Sequence, residues 1–136
     1  MLVVDDRPDV RLSLLYMLEA SGFEVAEAAD GRGALSMLAK HHIDVILTDL
    51  YMPGMDGVGL ISAVRDRLSR APRIIAMTGS THMGREATIA AATAMGAEAV
   101  LIKPFTREQL IRAIQNPPDR QETGKREAGS GKRTSS

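Results

Sequence analysis

The chain has 136 residues, 44% apolar and 25% charged, which suits one domain with its own core and excludes a wholly disordered or fibrous polypeptide. Seventeen Lys and Arg balance seventeen Asp and Glu, so no global positive field recommends nucleic acid or an anionic membrane as a partner. Cysteine is absent, which excludes disulfides and thiolate chemistry; with no signal-peptide pattern and no uncharged apolar stretch of membrane-spanning length, a cytoplasmic location is expected.

The first apolar run, Leu2 to Val4, is followed by Val10, Leu14, Met17 and Leu18 at helical spacing, then by Gly22, a helix stop. A second run, Phe23 to Ala26, precedes Leu35 and Leu38. A third, Ile43 to Leu47, precedes Leu60, Ile61, Val64 and Leu68, with Pro72 as the stop. The fourth, Arg73 to Met77, leads into an Ala-rich stretch where Ala87, Ala90, Ala91, Ala94 and Met95 offer a small-residue packing face, ended by Gly96. Ala99 to Ile102 is the fifth run, and Leu110, Ile111 and Ile114 mark the last helix.

These runs are too short for typical helices and rich in Val, Ile and Leu, as parallel strands buried on both faces are. Five strands alternating with five helices predict an α/β fold, a doubly wound five-stranded parallel sheet, forming one domain over residues 1–116. From Pro117 onward no large apolar residue occurs, so residues 117–136 are expected to form a disordered polar tail. Five basic and three acidic residues give that tail +2 and leave −2 on residues 1–116. Its Gly129-Ser130-Gly131-Lys132 lacks the spacing of a phosphate loop.

Doubly wound sheets bind ligands at the carboxyl ends of their strands, beside the point where strand order reverses. The residues just past the apolar runs are Asp5 and Asp6, Asp49, Thr78 and Lys103. With strand order 2-1-3-4-5, the three carboxylates converge on one pocket and Thr78 and Lys103 approach from the other side. Two such charges 4 Å apart repel by about 4 kcal/mol at an effective dielectric near 20, so a cation must compensate. Lys103 supplies one charge; the remaining acids suit a hard divalent ion, Mg²⁺, which keeps several waters and bridges carboxylate to phosphoryl groups.

Val3-Val4-Asp5-Asp6, Asp49-Leu50-Tyr51-Met52-Pro53-Gly54-Met55-Asp56-Gly57, Thr78-Gly79 and Lys103-Pro104-Phe105 stand in an order and spacing that closely resemble the receiver domain of two-component response regulators, over residues 1 to about 115. The resemblance implies a flavodoxin-like (βα)5 receiver fold with Asp49 as phosphoacceptor. It implies a Mg²⁺ site made of Asp6 directly, Asp5 through water, an oxygen of Asp49 and the backbone carbonyl of Tyr51. Asp49, Lys103 and Thr78 would be the catalytic residues, with a cis Lys103-Pro104 bond. Thr78 would donate its hydroxyl to a phosphoryl oxygen and switch the surface, and Gly79 would let backbone approach the phosphate. The family's aromatic switch position, three residues before the lysine, is Val100, which has no ring to swing or to present. Tyr51 and Ser80 fall where the family lines the path of hydrolytic water, and the bulk of Tyr51 predicts slow loss of phosphate.

The implied function is a single-domain response regulator that takes phosphate from a sensor histidine kinase or a histidine phosphotransfer protein and acts on a downstream protein target, with no nucleic acid or membrane partner. It would be no enzyme beyond its own phosphorylation and dephosphorylation. A receiver fragment of a larger hybrid kinase or multidomain regulator, or a phosphate sink, is the alternative. An aspartyl phosphatase would need a second acid two residues after the nucleophile, where Tyr51 stands. His41, His42 and His82 offer no three convergent zinc ligands, and Gly54, Gly57 and Gly59 stand in the wrong order for a dinucleotide fingerprint. Asp5 or Asp6 alone also reads as a helix cap before Pro8, partly so for Asp6, but a cap does not explain two adjacent acids.

Overall fold

The structure, a computed structural model, describes residues 1–51, 57–67, 72–79 and 84–115. It comprises β1 (Leu2–Val4), α1 (Pro8–Ala20), β2 (Ala26–Ala28), α2 (Gly31–Lys40), β3 (Val45–Asp49), α3 (Gly57–Arg67), β4 (Arg73–Thr78), α4 (Arg85–Met95), β5 (Ala99–Ile102) and α5 (Arg107–Gln115). All strand pairs are parallel, in the order β2-β1-β3-β4-β5, so strand order reverses between β1 and β3, as the sequence predicts. The expected tail at 117–136 and the expected core residue Leu68 lie outside the described residues. No helix among the described residues is long and apolar enough to cross a membrane.

The chain divides into two units, Met1–Phe105 and Thr106–Ser136. In the first, alternate strand residues face opposite sides of the sheet. Leu2, Val4, Ile46, Ile74 and Ala76 join Ala34, Leu60, Ile61, Val64 and Ala92, from α2, α3 and α4, in one buried cluster. Val3, Leu47, Ile75 and Met77, of the opposite parity, are equally inaccessible, and α1 packs on β1 with Leu14 and Leu18 buried. In the second unit, α5 buries Leu110, Ala113 and Ile114 along one stripe. Its start is a reciprocal capping pair: Gln109 N–H donates to Thr106 Oγ1 (3.0 Å), and Thr106 N–H to Gln109 Oε1 (2.8 Å).

Two strands are shifted from their apolar runs, each for a local reason. Phe23 is used by the end of α1: Gly22 N–H donates to Glu19 O (3.0 Å) and Phe23 N–H to Leu18 O (3.1 Å), with Gly22 at φ +95°. That left-handed cap consumes the first residues of the run, and β2 begins at Ala26, opposite Leu2. On β3 the pairing with β4 starts at Val45↔Arg73 and runs through Asp49↔Met77, so the strand extends past its apolar stretch to include Thr48 and Asp49.

The Ala-rich helix is turned otherwise than its spacing predicts. Thr88 and Ala92 face inward on α4, while Ala87, Ala90, Ala91 and Ala94 are exposed. Alanine is small enough for either face, so periodicity in alanines carries little directional information.

The N-terminus of α2 rests on Asp30, whose side chain accepts from Gly33 N–H at 2.8 Å. Asp30→Ala is expected to lower stability by about 1 kcal/mol. The check is urea denaturation, which should show a lower midpoint at unchanged slope.

Candidate functional site

The parallel ladders run one bond past the strand ends. Asp5 N–H donates to Ala28 O (3.2 Å), Leu50 N–H to Met77 O (3.0 Å) and Lys103 N–H to Thr78 O (2.8 Å). Val4 pairs with Thr48, so Asp5 and Asp49 leave adjacent strands side by side at the carboxyl edge. Thr78, fully buried, ends β4 one residue beyond the partner of Asp49, and Lys103 follows β5. Five positions scattered over a hundred residues of sequence thus reach one end of one sheet.

The carboxylates of Asp5, Asp6 and Asp49 each offer an oxygen within 4.8 Å of the others. Lys103 Nζ crosses to two of them, donating to Asp5 Oδ2 at 3.1 Å and to Asp49 Oδ2 at 3.0 Å. Asp5 is fully buried and the Asp49 side chain is 12% exposed, so these ion pairs sit in a medium that screens poorly. Burial alone would lower the Lys103 pKa. The hydrogen bond and charge of Asp49, then those of Asp5, outweigh it, and the ammonium is held above its ordinary range.

Local backbone structure shapes the rest. Arg7, in extended conformation, occupies the cap position of α1 without a side-chain capping bond, and Pro8 opens the helix. Asp6 is therefore not the cap. Asp5 Oδ1 instead takes Arg7 N–H at 2.9 Å, and among the described residues nothing engages the Asp6 carboxylate. Thr48 Oγ1 donates to the Asp49 carbonyl (2.9 Å), and Tyr51 N–H makes a long contact of 3.4 Å to Asp49 Oδ1. The Tyr51 residue is 52% exposed. The Lys103–Pro104 peptide is cis.

This donor set fits a hard divalent cation. All three side chains offer oxygen, one carboxylate has no partner among the described residues, and a single lysine shared by two acids leaves net negative charge. Among the described residues no other cluster of three His, Cys, Asp or Glu could hold a metal. His41 and His42 are exposed, His42 pairing with Asp44 at 2.8 Å on the surface. Ser80, His82 and the stretch Met52 to Asp56 lie outside the described residues.

Gly79 and Gly57 contrast sharply. A Cβ at Gly79 would meet only Lys103 Cβ, at an ordinary 3.9 Å. A Cβ at Gly57 would collide with the Asp49 carbonyl and lie 2.7 Å from Leu50 Cα, while Gly57 N–H donates to Leu50 O (3.0 Å). Gly57 reads in sequence as a turn former into the third helix; its structural role is to let α3 start against the main chain of Asp49 and Leu50. Val100 pairs with Ala76 and packs half-buried against the core cluster.

Two further residues at this edge escaped sequence reasoning. Arg11 Nη1 donates to the Asp5 carbonyl (2.7 Å) and Arg11 Nε to Glu27 Oε1 (2.7 Å). Only the β1–β2 register brings Glu27 within reach, and no motif announces it.

The sequence model of the family described as response regulator receiver domain matches residues 1–115. The chain is 38% identical over 114 residues to the transcriptional regulatory protein PrrA of Mycobacterium tuberculosis, covering 84% of this chain and 47% of that one; it thus spans about half of that relative's length. It is 38% identical over 117 residues to the chemotaxis protein CheY of Pseudomonas aeruginosa, covering 84% and 91%. Among solved structures, the chemotaxis response regulator CheY4 of Vibrio cholerae superposes with a TM-score of 0.75 at 36% identity, covering 84% and 93%. A response regulator receiver domain protein of Clostridium thermocellum gives 0.76 at 28% identity, covering 89% and 94%.

Two outcomes follow from the geometry. Gly57→Ala must move main chain rather than side chain, and is expected to destabilise by about 2–3 kcal/mol in urea unfolding. For Lys103 the folded pKa exceeds the unfolded one, so its stabilisation is complete below the ordinary lysine pKa and is lost as pH rises through the raised value. In metal-free buffer the parent should therefore lose stability on the alkaline side with a slope that Lys103→Met lacks.

Proposed function

The chain belongs to the response regulator receiver domain family, whose members are signalling domains, and we propose that it accepts a phosphoryl group on Asp49 in a Mg²⁺-dependent reaction and signals by protein contact. The observation that carries this reading is the shared lysine: Lys103 bonds Asp49 and Asp5 at once, with the Asp6 carboxylate beside them and without a partner among the described residues. Burying like charges is costly to a fold, and the arrangement suits a site that receives more negative charge together with a divalent cation.

Asp49 has no proton to lose, so no general base is required. One of its oxygens bonds to the phosphorus of a phosphohistidine in line, the phosphorus–nitrogen bond breaks, and the imidazole nitrogen leaves with the electron pair. Lys103 offsets charge on the phosphoryl oxygens as it does now on the carboxylates. Asp5, Asp6, Asp49 and the Tyr51 carbonyl are the residues that would hold Mg²⁺, which when bound supplies further charge neutralisation at those oxygens. Thr78 donates its hydroxyl to the transferred group, and Gly79, which no packing contact among the described residues reserves for glycine, leaves room for the loop to approach it. Val100 has no ring, so the change passes through aliphatic packing against the core cluster.

The phosphodonor is a histidine kinase or a histidine phosphotransfer protein, and a cytoplasmic setting fits both. Half or more of Leu12 and Tyr16 on α1 is exposed, which suits a protein donor better than a small one. The output is contact with a downstream protein.

With Mg²⁺ and acetyl phosphate, the intact mass should rise by one phosphoryl group in the parent and not in Asp49→Asn or in the presence of EDTA. Lys103→Ala should slow the reaction about a hundredfold. Continuous release of phosphate from small phosphomonoesters would instead make the protein a phosphatase. Tyr51→Ala should lose the phosphoryl group several-fold faster than the parent, followed as decay of the phosphorylated mass.

A further inference from the structure

Asp5 is the most completely held residue of the pocket. Its N–H donates to Ala28 O, its Oδ1 takes Arg7 N–H, its Oδ2 takes Lys103 Nζ, and its carbonyl takes Arg11 Nη1 at 2.7 Å. The Asp5 carbonyl belongs to the peptide unit that leads into Asp6. Because a peptide unit is planar, fixing its carbonyl fixes the direction in which the chain enters Asp6. Nothing else does so among the described residues: the Asp6 carboxylate has no partner, and the residue is partly exposed.

Arg11 is well placed for this duty. Its side chain is only 17% exposed, its own N–H is engaged with Arg7 O (2.9 Å), and its Nε donates to Glu27 Oε1 at 2.7 Å. A lone guanidinium beside a divalent cation would repel it. Paired with Glu27, the guanidinium keeps its planar donor geometry while the pair carries no net charge.

We propose that Arg11 is a positioning residue for the acidic pocket and Glu27 its charge partner, the two together presetting the Asp5–Asp6 peptide so that the Asp6 carboxylate meets the cation already oriented. The proposal rests on the reading of the pocket as a Mg²⁺ site. Partners that orient metal ligands without touching the metal commonly change affinity by tenfold or more when removed.

The test is calorimetric titration of the full chain with MgCl2, alongside urea unfolding of each variant. The double variant Arg11→Met, Glu27→Gln removes the clamp at constant net charge, and its Mg²⁺ Kd is expected to rise about tenfold. Phosphorylation by acetyl phosphate should then return toward the parent rate at saturating Mg²⁺. Glu27→Gln alone keeps the clamp and uncovers its positive charge, so its Kd should rise two- to threefold at low salt and approach the parent's as screening increases. Arg11→Lys should restore little, because an ammonium does not reproduce the two directed bonds.

A folded double variant with the parent's Kd overturns the positioning role, leaving Arg11 as a brace for α1 whose loss appears only in the urea midpoint. If the double variant fails to fold, the Glu27→Gln titration decides: an unchanged Kd at low salt overturns the proposal. If the parent itself binds no Mg²⁺, the metal-site reading falls and this proposal with it; parent binding with unchanged variants sinks this proposal alone.

Discussion

Like charges brought together must be compensated, and in this protein one ammonium does that for two buried carboxylates. Lys103 reaches Asp5 and Asp49 from the far side of the sheet edge, bonding each at about 3 Å, and burial makes both bonds stronger than they would be in water. The compensation is incomplete by design of the chemistry: three carboxylates face one lysine. The residual negative charge suits a cation, and the lysine is the positive partner of both bonded acids. A balanced salt bridge would pair one acid with one base; this one is short of positive charge.

Around that centre the backbone does most of the positioning. The hydrogen-bond ladders extend beyond β1, β3 and β5 to the residues at the pocket, so Asp5 and Lys103 are anchored through their own amides and Asp49 through the next one. Thr48 and Gly57 then grip the Asp49–Leu50 main chain from both sides. Asp6 is partly exposed and Tyr51 is 52% exposed, so the pocket meets solvent at both.

Much of the architecture is legible in the sequence because buried parallel strands have little choice. Leu2–Val4 and Ala99–Ile102 coincide with their apolar runs, and the strand order needed to gather the acids is the order observed. What misled was residue chemistry serving a neighbour. Phe23 has the look of a strand residue and closes the cap of α1; the exposed alanines of α4 suit either face. At the site, Asp5, Asp6, Asp49, Thr78 and Lys103 are visible as polar residues following apolar runs, which packing does not require. Arg11, Glu27 and the reason for Gly57 were not visible, since each acts on main-chain atoms brought near only by strand register or by the start of a helix.

The glycine at the head of α3 has a consequence for how this surface can diverge. At the exposed Tyr51 or the half-buried Val100 one side chain can be traded for another in small increments. At Gly57 the obstacle is another stretch of main chain, which offers no rotamer to give way. Variation around Asp49 is thereby channelled outward: the scaffold holds still while side chains change at its rim.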